Sequence, residues 1–273
     1  MDEKQRTLVS EKAKKMRHDI VDMIGHSGKV GHLGGSSSAT DIVATLYFYK
    51  MNVNPKDPAD ESRDRFIMSK GHAVLTQYAA LAELGFFPMD ELKSVKKYGS
   101  MLQGHPDRTK TPGIEANTGS LGQGLSLGLG MALGLVDGDQ MVYVVLGDGE
   151  VAEGQVWEAA MAASYYKTGG LVAIVDNNGV QATGTVGEIM DSGDKGAKFK
   201  AFGWNVIEVD GHDVQAIADA LDSIDKKSGK PTAIIAKTVK GKCVSFAEGQ
   251  CQFHNCGLND EQFEQAHCDI DEY

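Results

Sequence analysis

Residues 142–150 read VYVVLGDGE and residues 171–178 read LVAIVDNN. Each begins with an unbroken apolar run, Val142 to Leu146 and Leu171 to Val175, as expected for parallel strands buried on both faces. Between them, Glu153 to Lys167 carries Val156, Ala159, Ala160 and Ala163 at helical spacing. The unit therefore reads strand, crossover helix, strand, and such a crossover brings the C-terminal ends of two parallel strands to one edge of a sheet. Open α/β sheets bind ligands at that edge. Asp148 and the pair Asn177-Asn178 fall there.

These residue types suit a divalent metal holding a diphosphate. Mg²⁺ takes hard oxygen ligands and dehydrates reluctantly, so a protein supplies a carboxylate and few other groups. Asp148 offers the charge and Asn178 a neutral carbonyl. Gly149 leaves room for an approaching diphosphate, and the amides that open the next helix favour its charge. On this spacing alone, two plain strand-to-helix turns remain an alternative.

A wider set of motifs bears on that choice. The run GDGEVAEGQVWEA (147–159), with its spacing to DNNG (176–179), resembles the thiamine-diphosphate motif of the transketolase family. GHLGG (31–35), SKGHA (69–73), GHP (104–106) and TGSLGQG (118–124) fit the same family in the same order. KTVKGKCVSF (237–246), leading to His254, fits the segment before the family's last N-terminal active-site histidine. The resemblance covers nearly the whole chain and implies one thiamine-diphosphate domain over residues 1–273, like the N-terminal half of a transketolase.

Function and site residues follow from the resemblance. It implies transfer of a two-carbon ketol unit from a ketose phosphate to an aldose acceptor, with thiamine diphosphate and Mg²⁺ as cofactors. His32, His72, His105 and His254 are implied in proton transfer and substrate binding, with Lys70 also near the substrate. Gly119, Ser120, Leu121, Asp148, Gly149, Glu150, Asn178 and Lys240, with His72 and His254, are implied in holding the cofactor. Val180 joins Asp148 and Asn178 at the metal. Ylid formation needs a carboxylate from the pyrimidine-binding domain, which is not found here. The implied partner is a complementary pyrimidine-binding and C-terminal subunit, two copies of each chain forming a heterotetramer.

Each residue also has a plainer reading. His32, His72 and His105 each follow a glycine, and one such dipeptide is an ordinary turn; three in loops point to a site. Lys70 could be a solvated loop charge and Lys240 a partner for the acidic surface. Glu153 is either a routine helix contact or, by resemblance, part of an acidic chain linking paired active sites. His212, in Asp210-Gly211-His212-Asp213, reads as a turn at a strand end, and His18, His26 and His267 lack motif support. Gly122-x-Gly124-x-x-x-Gly128 hints at a dinucleotide loop, but no buried strand immediately precedes it and no acidic ribose partner is evident.

The remaining elements place the motifs at strand and helix ends. Thr7 to Gly25 reads as a helix with Met16, Ile20, Met23 and Ile24 on one face. His32 lies in a glycine-rich loop, and Ser38 or Thr40 caps a helix running to Met51. Arg65 to Ser69 reads as a strand and Ala73 to Leu84 as a helix, with another helix at Gly124 to Gly134. Asn205 to Val209 and Thr232 to Ala236 read as strands around a helix from Val214 to Lys227. The alternation predicts an α/β fold with a doubly wound, mainly parallel sheet and helices on both faces.

Composition narrows the partners. Lys and Arg total 27 against 38 Asp and Glu, a formal charge of −11, which disfavours nucleic acid or an anionic membrane. No apolar run approaches the roughly 20 residues that span a bilayer, and the N-terminus lacks a signal-peptide core, so a cytoplasmic protein is expected. Cys243, Cys251, Cys256 and Cys268 match no C-x-x-C pair and read as free thiols. Other thiamine enzymes, such as an α subunit of a 2-oxo acid dehydrogenase or a deoxyxylulose-phosphate synthase, share the metal motif. The donor could be an unusual sugar, for example a sulfonated one. A non-catalytic scaffold subunit is the alternative from another class. Ser27 to Val30 before Gly31-His32, and Asn255-Cys256 after His254, depart from the family pattern and bear on substrate identity.

Overall fold

A computed structural model describes residues 1–27 and 30–273. Gly28 and Lys29, part of the 27–30 departure noted above, lie outside the described residues. Five strands form one wholly parallel sheet in the order β1-β2-β3-β5-β4: β1 (Arg65–Met68), β2 (Val142–Gly147), β3 (Leu171–Asn177), β4 (Asn205–Asp210) and β5 (Thr232–Lys237). In β2 and β3, Tyr143, Val145, Val172 and Ile174 join one core cluster. Val142, Val144, Leu146, Leu171, Ala173 and Val175 join the other. Period-two alternation thus fills two hydrophobic layers from continuous apolar runs.

Helices cover both faces, as a doubly wound sheet requires. The first layer contains α1 (Glu3–Ser27), α2 (Leu33–Ser38), α3 (Thr40–Thr45) and α4 (Val74–Leu84). The opposite layer contains α5 (Gln123–Gly134) and α6 (Gly154–Tyr165). Beyond β3 come α7 (Val186–Ile189) and α8 (Lys195–Ala201), the latter packing Phe199 into the second cluster. Then α9 (Val214–Asp222) returns to the first, and α10 (Asp260–Glu272) docks against α1. Side-chain caps start several of these: Asp194 for α8, Asp213 for α9, and an Asn259/Gln262 capping box for α10.

Some local expectations change. The glycine-rich segment after His32 is not a loop but α2, buried along its length. Helix propensity disfavours Gly34-Gly35, yet Gly34 brings the backbone against the Lys240 side chain, where an added Cβ would lie 2.9 Å from Cγ. Tertiary packing overrides propensity here. Neither Ser38 nor Thr40 caps the next helix: the Ser38 hydroxyl donates to Gly35 O and Asp176, and Thr40 donates back to Ser36 O. That helix continues past Thr45 as a π-turn (Leu46–Lys50) before Met51 becomes extended. The helix from Val214 ends at Asp222, because Asp225 starts a separate 3-10 turn by accepting the Lys227 amide.

Close approach of α5 to the end of β1 needs a glycine. An added Cβ on Gly124 would lie 2.2 Å from Ser69 Oγ and 2.8 Å from its Cα, whereas one on Gly130 of the same helix would meet nothing within 4 Å. Gly124→Ala should therefore cost roughly 1–3 kcal/mol by overpacking, while Gly130→Ala should stabilise by about 0.5–1 kcal/mol. Chemical denaturation of the two variants checks the sign; equal effects would remove the packing argument.

Candidate active site

Several of the residues of interest lie just beyond strand ends on one edge of the sheet. Lys70 follows β1, Asp148 follows β2, Asn178 and Val180 follow β3, and Lys240 follows β5. The register puts Gly147 beside Asp176 and Asp176 beside Ala236, so these tails leave the sheet together. A cleft of about 540 Å³ opens there, lined by all four motif histidines as well as Asp148, Asn178 and Val180. A larger depression of about 710 Å³ lies at the ends of β4 and β5, lined by Asn177 and by Lys237, Thr238, Val239 and Lys242 of the 237–246 motif, but by none of the four motif histidines, Asp148 or Asn178. Strand alternation explains that split: Asn178 faces the cleft and Asn177 does not.

The four imidazoles form one cluster although they come from distant segments. Ring centroids are 5.0 Å apart for His32–His72, 6.4 Å for His32–His105, 5.3 Å for His32–His254 and 4.9 Å for His72–His254. Burial, with Lys70 and the neighbouring histidines, drives His72 down to about 2. Burial and His254 bring His32 to about 3, and burial and Lys240 bring His254 to about 4. His105 is lowered too, by partial burial and Lys96. The cluster is neutral near pH 7, each ring presenting one N–H and one lone pair.

Two lysines order the cluster from behind. Lys70, 2% exposed, is no solvated loop charge: its Nζ donates to Gly35 O at 2.7 Å and pairs with Asp176. Lys240, also 2% exposed, is no surface partner. Its Nζ donates to Val180 O at 2.8 Å, Gln181 O at 3.0 Å and His254 Nδ1 at 2.9 Å. An ammonium has no lone pair, so Nδ1 of His254 accepts and its Nε2 carries the proton. Burial and Lys70 lower Lys240 to about 8.

The acids divide into committed and poised groups. Asp176, fully buried, accepts from Lys70, Ser38, Thr238 and Asn178. Burial would raise its carboxyl, but Lys70 and these donors hold it below the usual range. Glu150, 2% exposed, accepts from Ser69, from Gly122 N at 2.9 Å and from Gly147 N at 2.9 Å, tying three segments together. Asp148 is 3% exposed and accepts the amides of Gly149 and Gly179; burial and the Asp176 charge push its carboxyl up. A buried carboxylate with only amide donors and another anion nearby is where a cation gains most.

Around the mouth, Gly119 has φ 132 and its backbone lies against His105, where an added Cβ would come 2.4 Å from Cδ2. Leu121, Gly149 and Glu153 line the cleft, whereas Ser120 is exposed and outside its lining. Asp176, Ser38, Thr238 and Gln181 were not among the sequence candidates. Asp176 could have been found as the one acid inside an otherwise apolar strand, since only a partnered carboxylate survives there. The four cysteines are free thiols, and among the described residues no helix is long and apolar enough to cross a membrane.

Comparison with known proteins agrees with this geometry. Residues 9–270 match the family model described as transketolase, thiamine diphosphate binding domain. The chain is 42% identical over 267 residues to an apulose-4-phosphate transketolase subunit of Phocaeicola vulgatus, covering 97% of this chain and 93% of that protein. It is 40% identical to a 6-deoxy-6-sulfo-D-fructose transketolase subunit of a Clostridium species, covering 98% of each. The solved transketolase of Campylobacter jejuni superposes with a TM-score of 0.91 at 31% identity, over 99% of this chain but 43% of that one. Ordered motifs, parallel sheet and clustered histidines converge with these matches: the chain belongs to the transketolase family, as its thiamine diphosphate binding domain.

Proposed function

We propose that this chain, as one thiamine-diphosphate domain over residues 1–273, is the diphosphate-binding subunit of a two-subunit transketolase that moves a ketol unit from a ketose phosphate to an aldose. The observation that carries the reading is the convergence of four neutral histidines with Asp148, Asn178 and Val180 in one cleft. Thiamine diphosphate, when bound, supplies the carbanion chemistry of ketol transfer. The chain's own residues hold it and handle protons. Asp148, the Asn178 amide oxygen and the Val180 carbonyl make a hard-oxygen set suited to Mg²⁺ with water and diphosphate completing the shell. His254 offers an Nε2–H to a substrate oxygen, while His32 Nδ1 is buried without a hydrogen-bond partner among the described residues. His72 and His105 complete the polar wall, and neutral rings, each with one N–H and one lone pair, can donate to and accept hydrogen bonds from substrate hydroxyls.

The names of two relatives, each a transketolase subunit, support a second chain. So does the surface beside the cleft: α5 and α6 pack side by side and expose Leu127, Leu133, Met161 and Tyr165. Exposed apolar side chains on two adjacent helices suit an interaction face. We assign it to the complementary subunit, which would bring the pyrimidine-side carboxylate and close the cleft in a heterotetramer. The substrate remains a sugar phosphate or a modified sugar, as the relatives' differing names suggest. A soluble assembly working in the cytoplasm fits this chemistry.

Three measurements test the reading. Asp148→Ala should weaken Mg²⁺-dependent thiamine diphosphate binding by about 100-fold or more, beyond the usual range for outer-shell residues; calorimetry giving wild-type affinity would take Asp148 out of the metal site. The purified chain alone should lack ketol transfer and gain it on mixing with a complementary subunit, in a coupled ketose-to-aldose assay; full activity from the lone chain would overturn the half-enzyme reading. The His32, His72 and His254 ring protons should not titrate between about pH 8 and 5 by NMR, since their values of about 3, 2 and 4 lie below that window. Their transition near the free-imidazole value would contradict neutral, buried rings.

A further inference from the structure

We infer that His212 is a positioning residue for the cleft: it braces the turn that carries Lys240, and through Lys240 sets His254. The inference rests on the reading of Lys240 and His254 as cofactor-facing groups. His212 lies outside the cleft, in the turn after β4, with a side chain only 10% exposed. Its Nδ1 is 2.8 Å from Asp41 Oδ2, and its Nε2 accepts the Val239 amide at 2.9 Å. An amide N–H can only donate, so Nε2 holds the lone pair and Nδ1 the proton given to Asp41. Both ring nitrogens are therefore used, in one fixed tautomer.

The anchor behind this ring is rigid. Arg17 from α1 grips Asp41 from α3 with two hydrogen bonds, Nη1 to Oδ1 at 3.1 Å and Nη2 to Oδ2 at 2.5 Å. Burial would raise the Asp41 carboxyl, but Arg17 and His212 hold it below the ordinary carboxylate range. The anchor thus stays ionised and keeps accepting from the imidazole.

In front of the ring, the 238–241 turn is held by several hydrogen bonds, among them Thr238 N to Asn177 O at 3.2 Å and Gly249 N to Lys240 O at 2.8 Å. Thr238 Oγ1 donates to Asp176, Val239 N to His212, and Gly241 N to Gly34 O at 3.0 Å. Lys240, between the last two, sends its Nζ to Val180 O, Gln181 O and His254 Nδ1. The two turns are also pressed together: Gly211 N donates to Lys237 O at 2.8 Å, and an added Cβ on Gly211 would lie 2.4 Å from Thr238 Cγ2. Val239 borders the depression on the far side, so without His212 its amide would turn to water, and the Thr238–Val239 peptide, one bond before the peptide that carries Lys240, would lose its anchor. Val180 O is a proposed metal-facing carbonyl, so the brace reaches the metal as well as His254.

Two near-isosteres separate the ring's two bonds. The Asn amide reaches the place of Nδ1 and keeps Asp41 but leaves Val239 without an acceptor; the Gln amide reaches the place of Nε2 and can accept from Val239. In the assembled enzyme, His212→Asn and His212→Ala should raise the Kd for thiamine diphosphate with Mg²⁺ about 10- to 100-fold, the range for outer-shell groups. His212→Gln should restore most of the loss. In cofactor-free protein, the Val239 amide should exchange faster with deuterium in His212→Asn than in wild type. Wild-type affinity in His212→Asn, no rescue by Gln, or equal Val239 exchange would each overturn the brace. Should wild type bind no thiamine diphosphate, the cofactor reading falls, while Val239 exchange still reports on the brace.

Discussion

Everything at the working edge of this protein hangs on one fully buried carboxylate. Asp176 sits at the C-terminal end of the central strand β3, where an ionised group is costly: after relaxation, burial still costs several kcal/mol per ion. The surrounding sequence offsets that cost with Lys70 from the end of β1, Ser38 from α2, Thr238 from the end of β5 and Asn178 from its own strand tail. Each donor comes from a segment that also carries a site residue. Satisfying Asp176 therefore fixes the relative positions of the His32, His72, Asn178 and Lys240 segments. Removing one partner of such a buried pair costs roughly 3–5 kcal/mol because the other charge is stranded, so the polar knot is both a fold determinant and a jig for the cleft.

The same knot shapes the chemistry in front of it. Lys70 and Lys240 are placed behind the imidazoles, and their charge adds to burial in disfavouring imidazolium. A histidine near a free-imidazole value would be partly charged at neutral pH and would repel a divalent metal. Depressed histidines avoid this and leave positive charge to the lysines, whose hydrogen bonds are already used by Asp176, Gly35, Val180, Gln181 and His254. Asp148 is tuned the other way: burial and Asp176 raise it, so it loses least by taking a cation as partner.

Much of this was legible in the chain before any coordinates. Strands β2 and β3 announced themselves because parallel strands buried on both faces leave long apolar runs, and the motif histidines because glycine precedes three of them. Legibility failed where a residue's role depends on contacts distant in sequence. Gly34-Gly35 looks like a loop by propensity, yet packing against Lys240 makes it helix. Ser38 looks like an N-cap, yet its hydroxyl serves Asp176, 138 residues away. Lys70 and Lys240 look like surface charges because nothing local says they are buried. His212 looks like turn chemistry, and it is in a turn; only the tertiary fold puts Asp41 on one side of its ring and Val239 on the other.

The distribution of acids also explains why half a site suits this chain. Asp176 is consumed by Lys70, Glu150 by Ser69 and two backbone amides, and Asp148 faces the proposed metal. Glu150 could not be freed for proton transfer without untying β1, the Gly122 turn and β2 at once. A carboxylate that must change protonation during a reaction cannot also be the fastening of three strand ends. In the proposed assembly the two duties fall on different chains: this one keeps its buried acids Asp176, Glu150 and Asp148 for structure and metal, with neutral histidines for the substrate, and the partner brings the acid that must titrate. Exposed Leu127 and Met161 lie on α5 and α6, the helices entered from the Gly122 turn and the Glu150 segment. Docking there would seat the incoming acid on elements that Glu150 already holds in place.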